Sequence, residues 1–268
     1  MEGLCHLARE DPITATPVQR HRYSYGADPS QWGELFLPGL PEDSGPRPGG
    51  VAVVIHGGYW RSRYGAELGE PLALDLARSG ITAWNLEYRR AGNGGGWPAT
   101  FQDILAGIGK LRDLAEKHVL DLSRVVALGH SAGGHLAVWA AGQQASGGVR
   151  LTGVVSQSGV LNLALAEELN LSDGAVANLL GGPSSAVPER HRSADPMAAL
   201  PLDIPVVAVH AEDDADVPPA LSATYVAASG AAGVPARLVT VPGDHFALID
   251  PSAEAYRTCR ELVRELLT

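Results

Sequence analysis

The stretch that decides the fold is Val125-Val126-Ala127-Leu128-Gly129-His130-Ser131-Ala132-Gly133-Gly134. Its apolar first part predicts a buried strand. The residues after it match Gly-x-Ser-x-Gly, a pattern in which a sharp strand-to-helix turn presents a serine at the edge of a sheet. So short a pattern arises by chance in roughly one chain in four with this glycine and serine content, so its context decides. A strand precedes the turn and a helical segment follows it, which identifies Ser131 as a candidate nucleophile.

Outside this stretch, short apolar runs alternate with longer segments of helical period. This alternation is typical of a mostly parallel sheet with helices on both faces. The predicted strands are Glu34–Leu37, Val51–Ile55, Thr82–Leu86, Val125–Gly129, Thr152–Gln157, Val206–Ala211 and Arg237–Val241. The predicted helices are Glu67–Arg78, Phe101–Lys117, Gly134–Gln144, Pro219–Ala228 and Ala253–Leu267.

The strand pattern stops between Leu161 and Leu202. Two helical stretches, around Ala164–Leu169 and Gly174–Leu180, precede turn-rich sequence there. We interpret the segment as a small helical cap inserted into one α/β domain that spans all 268 residues.

Composition argues against several classes of partner. The formal net charge is -10 and no cluster of Lys or Arg stands out, so neither nucleic acid nor an anionic membrane is an expected partner. The first residues, Met1 to Pro12, lack the apolar core of a signal peptide, and no run has the length of a membrane span. Cys5 and Cys259 are expected to be unrelated thiols in a reducing compartment, so we expect a cytoplasmic location.

A serine hydroxyl needs a general base before it can attack a carbonyl group. In the chain order Ser, acid, His, the base must follow both Ser131 and an acidic residue, which leaves His191, His210 and His245 as candidates. His245 is favoured because it lies in a loop directly after the last predicted strand. His210 ends a strand, and His191 lies in the predicted cap.

The loop after the strand Val206–Ala211 supplies candidates for the orienting acid. Its carboxylates are Glu212, Asp213, Asp214 and Asp216. The cluster also fits a solvated acidic turn or a cation site, although the glycine and terminal glutamate of a calcium-binding loop are absent. No metal ion is therefore expected, and the residues alone leave the choice of acid open.

Donors to a developing oxyanion are expected in His56-Gly57-Gly58-Tyr59-Trp60, which follows the predicted strand Val51–Ile55. We predict the backbone N–H groups of Gly58, Tyr59 and Ala132 as these donors. The side chains of Tyr59, Trp60 and Trp97 are predicted to line an aromatic substrate pocket, with packing in the core as the alternative for each.

Taken together, these segments resemble the α/β-hydrolase esterases near the hormone-sensitive-lipase group, and the arylformamidases (kynurenine formamidases) most closely. The resemblance rests on the motifs around Gly58, Ser131 and His245, on Asn85-Leu86-Glu87-Tyr88-Arg89, Trp97-Pro98 and Leu180-Gly181-Gly182. It implies the α/β-hydrolase fold and a motif His-Gly-x-x-Asp-x-x-Val-Pro, which places the acid at Asp214, although Ala211 replaces its glycine. Lipase relatives usually carry a third glycine after His-Gly-Gly. In this chain Tyr59 and Trp60 follow instead, as in the formamidases.

The expected function is cofactor-free hydrolysis of small carboxylic esters through an acyl-enzyme. Hydrolysis of aryl formamides of the N-formylkynurenine type is one alternative, and a ligand-binding protein without catalysis on the same fold is a remote one. The expected partner is therefore a small-molecule ester or formamide, and a homodimer is an open alternative for the assembly.

Overall fold

The fold is described from a computed structural model, which covers residues 17–39, 49–143, 148–234 and 236–268. Cys5 and Gln144, the last residue of one predicted helix, lie outside the described residues.

An eight-stranded sheet runs through the centre of the molecule, in the order β1-β2-β4-β3-β5-β6-β7-β8. β1 and β2 form an antiparallel hairpin, β2 is antiparallel to β4, and the remaining neighbours are parallel. The strands are β1 Gln19–Ser24, β2 Trp32–Leu37, β3 Val51–Ile55, β4 Thr82–Leu86, β5 Val125–His130, β6 Gly153–Gln157, β7 Val206–Ala211 and β8 Arg237–Val241.

Both faces of the sheet are covered, so its central strands are buried throughout. Along β3, Val51, Val53 and Ile55 belong to one core cluster, whereas Ala52 and Val54 belong to the other. This alternation follows from the period of two residues in a strand. A strand buried on both faces favours apolar residues at every position, which is the pattern that β3 contains.

The helices in the described part of the chain are α1 Glu70–Arg78, α2 Ala99–Gly109, α3 Leu111–His118, α4 Ala132–Ala141, α5 Leu163–Glu168, α6 Ala175–Leu180, α7 Pro188–Ala194, α8 Ala220–Ala231 and α9 Glu254–Leu267. Helices α1 and α9 pack on one face of the sheet, and α2, α4 and α8 on the other. None of the described helices is both long enough and apolar enough to cross a lipid bilayer.

The bounds of several predicted elements differ by a few residues from the observed ones, and two predicted segments differ in kind. The single predicted helix Phe101–Lys117 is two helices, which meet after Gly109, a residue of low helix propensity. The cap segment, defined here as residues 161–202, contains α5 and α6 near their predicted positions and also α7, where only turns were predicted. Pro188 at the first position of α7 is a helix-start signal that could have located it.

The connection from β5 to α4 is a closely packed turn. Ser131 lies between them with φ 55° and ψ -117°, a backbone conformation that residues other than glycine rarely adopt. A Cβ on Gly129 would approach the carbonyl oxygen of Gly133 to 2.3 Å. A Cβ on Gly133 would approach the carbonyl oxygen of Ile55 to 2.0 Å. Only glycine at these positions lets the helix start against β3 and β5.

We expect Gly133→Ala to lower the free energy of unfolding by about 2–4 kcal/mol, because the new methyl group meets backbone that side-chain rotation cannot move. Gly230→Ala is the matched control. A Cβ there meets no atom within 4 Å and Gly230 lies in α8, so alanine should stabilise by about 0.5 kcal/mol. Chemical denaturation measures both, and a Gly133→Ala variant within 0.5 kcal/mol of the wild type would contradict the packing described.

Candidate active site

Ser131 is held at the carboxyl end of β5 by its own backbone. Its N–H donates to the carbonyl of Gln157 at 2.8 Å, and its carbonyl accepts from the N–H of His135 at 3.2 Å. The residue is only 2% exposed. Because α4 begins at Ala132, the side chain of Ser131 stands at the N-terminal end of a helix, where backbone N–H groups have no partner within the helix.

His245 lies in the loop that follows β8. Asp244 shapes this loop, since its Oδ1 accepts from the N–H groups of Phe246 and Ala247, each at 3.0 Å. The backbone carbonyl of His245 is 3.0 Å from Nε2 of His130, the residue that precedes Ser131. Hence the last loop is tied directly to the serine turn, and both Ser131 and His245 line one cavity.

Asp214 pairs with His245. Its Oδ2 lies 2.7 Å from His245 Nδ1, while its Oδ1 accepts from the N–H groups of Val217 at 2.8 Å and Asp216 at 3.0 Å. Burial alone would raise the pKa of Asp214, but the hydrogen bond and charge of His245 outweigh it and hold the pKa at about 2. The carboxylate is therefore ionised at neutral pH. Asp213 and Asp216 are exposed and form no ion pair with His245.

His210, a rival candidate for the base, lies beside the same carboxylate. Its Nε2 is 2.9 Å from the carbonyl of Val217 and 3.6 Å from Asp214 Oδ2, and its Nδ1 is 2.8 Å from Ser222 Oγ. Burial lowers the pKa of His210, which keeps the ring neutral. A neutral ring whose Nε2–H donates to the carbonyl of Val217 stabilises the loop that carries Asp214.

The predicted oxyanion loop lies against the serine turn. A Cβ on Gly57 would be 2.8 Å from the carbonyl oxygen of His130 and 3.0 Å from Ser131 Cβ. The following residues Gly58, Tyr59 and Trp60 have φ of 110°, 49° and 56°. Within the described residues, the N–H groups of Gly58 and Tyr59 donate to no protein acceptor. They are free to bind an oxygen in the cavity that both residues line.

A buried polar network below this loop was not identified from the sequence. His56 donates from Nδ1 to the carbonyl of Gly57 at 2.8 Å, and its Nε2 lies 3.2 Å from Glu87 Oε1. Glu87 also accepts from Arg90 and, at 2.9 Å, from the N–H of Ala66. Burial lowers the pKa of His56 to about 3. The acidic residue in the motif Asn85 to Arg89 was the available signal, because a Glu amid apolar strand residues requires a partner.

The candidate site opens into a cavity of about 240 Å³ beside Ser131. Its walls are Gly58, Tyr59, Arg61, Arg63, Tyr64, Leu68, His130, Ser131, Ser172, Asp216, His245 and Phe246. A larger depression of about 510 Å³ lies near β1 and α2, but its walls include neither Ser131 nor His245. We therefore take the smaller cavity as the candidate active site.

Of the three aromatic residues predicted to line the pocket, the structure places only Tyr59 there. Trp60 is fully buried and donates from Nε1 to His135 Nδ1 at 3.2 Å. Trp97 packs its ring against Phe101, with centroids 4.9 Å apart. The prediction for Trp60 and Trp97 is corrected: neither ring lines the cavity, because Trp60 packs against His135 of α4 and Trp97 packs against Phe101 of α2.

Tyr64 and Phe246 provide the aromatic surface of the cavity instead, and both are partly exposed. Phe246 directly follows His245, and Tyr64 lies four residues after Trp60. Their positions could have been suspected from that proximity, but no residue pattern distinguishes them from ordinary surface aromatics.

A parallel sheet with a serine turn after its central strand, and an acid and a histidine on later loops, defines an α/β-hydrolase architecture. The BD-FAE family model matches residues 40–228, so the chain belongs to the BD-FAE family. The match includes Ser131 and Asp214 and ends before His245. None of the curated proteins compared with the chain matches it.

Solved structures of esterases share this fold. A truncated carbohydrate esterase from gut microbiota has a TM-score of 0.76 and 20% identity over 95% of this chain and 98% of its own. Esterase B from Lactobacillus rhamnosis has a TM-score of 0.78 and 23% identity over 96% and 87% of the two chains. A thermophilic esterase from Thermogutta terrifontis has a TM-score of 0.71 and 22% identity over 96% and 92%. These similarities confirm the predicted α/β-hydrolase fold.

Proposed function

We propose that the protein is a serine hydrolase that cleaves small carboxylic esters through an acyl-enzyme. The observation that carries this proposal is the arrangement of three side chains: Ser131 and His245 line one cavity, and Asp214 lies 2.7 Å from His245 Nδ1. An ionised acid, an imidazole and a serine in this chain order are the groups that acyl transfer requires.

In the proposed mechanism, the Oγ atom of Ser131 attacks the ester carbonyl while Nε2 of His245 takes its proton. Asp214 accepts a hydrogen bond from Nδ1–H, which leaves Nε2 unprotonated and ready to act as base. The imidazolium that forms is stabilised by the adjacent carboxylate. It then protonates the departing alcohol, and water hydrolyses the acyl-enzyme with His245 again acting as base.

The tetrahedral intermediate carries a negative charge on the former carbonyl oxygen. We assign the N–H groups of Gly58, Tyr59 and Ala132 as the donors to this oxygen. The N-terminal end of α4 adds its partial positive charge at the same place. Removal of one such donor costs roughly 10² to 10³ in kcat in other enzymes, so the position of the loop contributes substantially to the proposed rate.

The size of the cavity supports small substrates. About 240 Å³ lies below the usual volume of drug-sized binding sites. Tyr59 occupies the place of a glycine in lipase relatives, and its hydroxyl donates to the carbonyl of Asp216 at 2.5 Å, which fixes the ring as a wall. The names of the structural neighbours, among them a carbohydrate esterase, agree with ester hydrolysis.

The small size of the cavity also favours a second candidate function, hydrolysis of an aryl formamide. Formyl is the smallest acyl group, and a narrow cavity beside Ser131 suits it equally well. Side by side, kcat/KM for N-formylkynurenine and for short p-nitrophenyl esters distinguishes the two candidates.

Ser131→Ala should remove hydrolysis without unfolding the protein, since a smaller side chain fits the turn and no other nucleophile lines the cavity at this position. We expect kcat to fall by about 10⁴ to 10⁶. A fluorophosphonate probe should label the wild type and leave the variant unlabelled. Labelling that persists in Ser131→Ala would place the nucleophile elsewhere.

Asp214→Asn should lower kcat by roughly 10³ to 10⁴, because an amide at this position favours the wrong imidazole tautomer. Asp213→Asn is the matched control: its side chain is exposed and should change kcat less than about tenfold. A larger loss in Asp213→Asn than in Asp214→Asn would assign the acid to the neighbour.

Among p-nitrophenyl esters, we expect kcat/KM to be highest for acetyl and to fall with acyl length, because Tyr59 closes one side of the cavity. The measurement is a series from acetyl to octanoyl with the same leaving group. A higher kcat/KM for octanoyl than for acetyl would show that the cavity does not limit the acyl group.

A further inference from the structure

Arg61 connects the oxyanion loop to the cap segment. Its backbone is fixed on both sides, because the N–H of Ala91 donates to the carbonyl of Trp60 at 2.9 Å and the N–H of Ser62 donates to the carbonyl of Ala91 at 3.0 Å. The partly buried side chain extends from this fixed point to the loop between α5 and α6. There its Nη2 atom donates to the carbonyl oxygens of Ser172 and, at 3.4 Å, Asp173.

The loop that receives Arg61 has an unusual backbone, and we call residues 170–174 the cap loop. Asn170, Ser172 and Asp173 have φ of 49°, 46° and 50°, and Gly174 has φ of 71°. Residues with a Cβ adopt this conformation only where surrounding contacts hold them in it. Leu171 packs against the core and holds the loop from inside. The hydrogen bonds from Arg61 hold it from the side of the cavity.

The cap loop also contributes to the candidate active site, because Ser172 is part of the cavity wall. Arg61 is part of the same wall. A planar guanidinium can serve two neighbouring carbonyl oxygens at once, and its charge strengthens both bonds. The position of Ser172 relative to Ser131 is therefore held, on the side of the cavity, by a side chain whose backbone belongs to the predicted oxyanion loop.

We propose that Arg61 is a specificity-determining positioning residue, which fixes the cap loop over the cavity and thereby limits the size of the substrate. The proposal rests on the ester hydrolysis proposed above. Arg63 shares the cavity but contacts the ring of Tyr64, 5.3 Å from its centroid, rather than the cap segment. Among the described arginines of this wall, Arg61 alone joins the two loops.

The test is Arg61→Gln, assayed with p-nitrophenyl acetate, butanoate and hexanoate. Without the guanidinium, the cap loop should move away from the cavity. The ratio of kcat/KM for hexanoate to kcat/KM for acetate should then rise by about tenfold, which lies within the discrimination that pocket contacts give for a small apolar group. The change should appear mainly in KM, because the nucleophile and base are unaltered. Arg61→Lys should give a smaller change, and it replaces the glutamine variant if that protein fails to fold.

Arg190→Gln is the matched control. Arg190 donates from Nη1 to the carbonyl of Leu180 at 2.9 Å, so it makes the same type of bond within the cap segment, away from the cavity. Its loss should leave the ratio of kcat/KM values within about twofold of the wild type. An equal shift in both variants would assign the effect to general loosening of the cap and overturn the role of Arg61.

Hydrogen exchange provides a readout that does not depend on activity. Amides of residues 170–174 should exchange about tenfold faster in Arg61→Gln than in the wild type, and at the wild-type rate in Arg190→Gln. Unchanged exchange, or faster exchange with unchanged selectivity, overturns the proposal. If the wild-type protein hydrolyses none of the esters, the proposed function is refuted, and the specificity role of Arg61 is refuted with it even if exchange is faster in Arg61→Gln.

Discussion

The approach of α4 to β3 is the constraint on which the site depends. Gly133, in the first turn of the helix, lies so close to the carbonyl of Ile55 that no side chain fits between them. This contact brings the serine turn and the loop after β3 together, because the loop begins one residue beyond Ile55. The proposed nucleophile, Ser131, and the proposed oxyanion donors Gly58 and Tyr59 are thus brought together by the same backbone contact.

Buried neutral histidines hold the loops that this packing brings together. His130 bonds the carbonyl of His245, His135 bonds the carbonyl of Ala194 at 2.9 Å, and His56 bonds the carbonyl of Gly57. Burial lowers the pKa of His130 to about 3 and that of His135 to about 4. Protonation of these rings would place charge in the core, so their contribution to stability is complete above their unfolded pKa near 6.5 and is lost as the pH falls towards 3 to 4. Acid should therefore loosen the loops that these histidines hold.

The sequence predicted the parts of the molecule that depend on local pattern. Strands β3, β4, β7 and β8 have their predicted bounds, and for β3 and β7 this follows because a strand covered on both faces is largely apolar. The strand β1 was not predicted, since its exposed edge position leaves Gln19 to Ser24 with little apolar character. The pairing of Asp214 with His245 agrees with the spacing of a family motif. By contrast, the orientation of Trp60 depends on a backbone turn with positive φ, which no periodicity reveals.

The contacts that close the cavity are the least accessible to sequence reasoning, because they join side chains to backbone carbonyl groups. Tyr59 bonds the carbonyl of Asp216, and Arg61 bonds that of Ser172. A carbonyl group is present at every residue, so its partner carries no signature in the sequence around it. Both donors nevertheless extend from the same fixed loop, one to the acid loop and one to the cap. The loop after β3 therefore connects both the loop that carries Asp214 and the cap loop to the serine turn. In the proposed mechanism, a shift in either of these loops would reach the place where the negative charge develops.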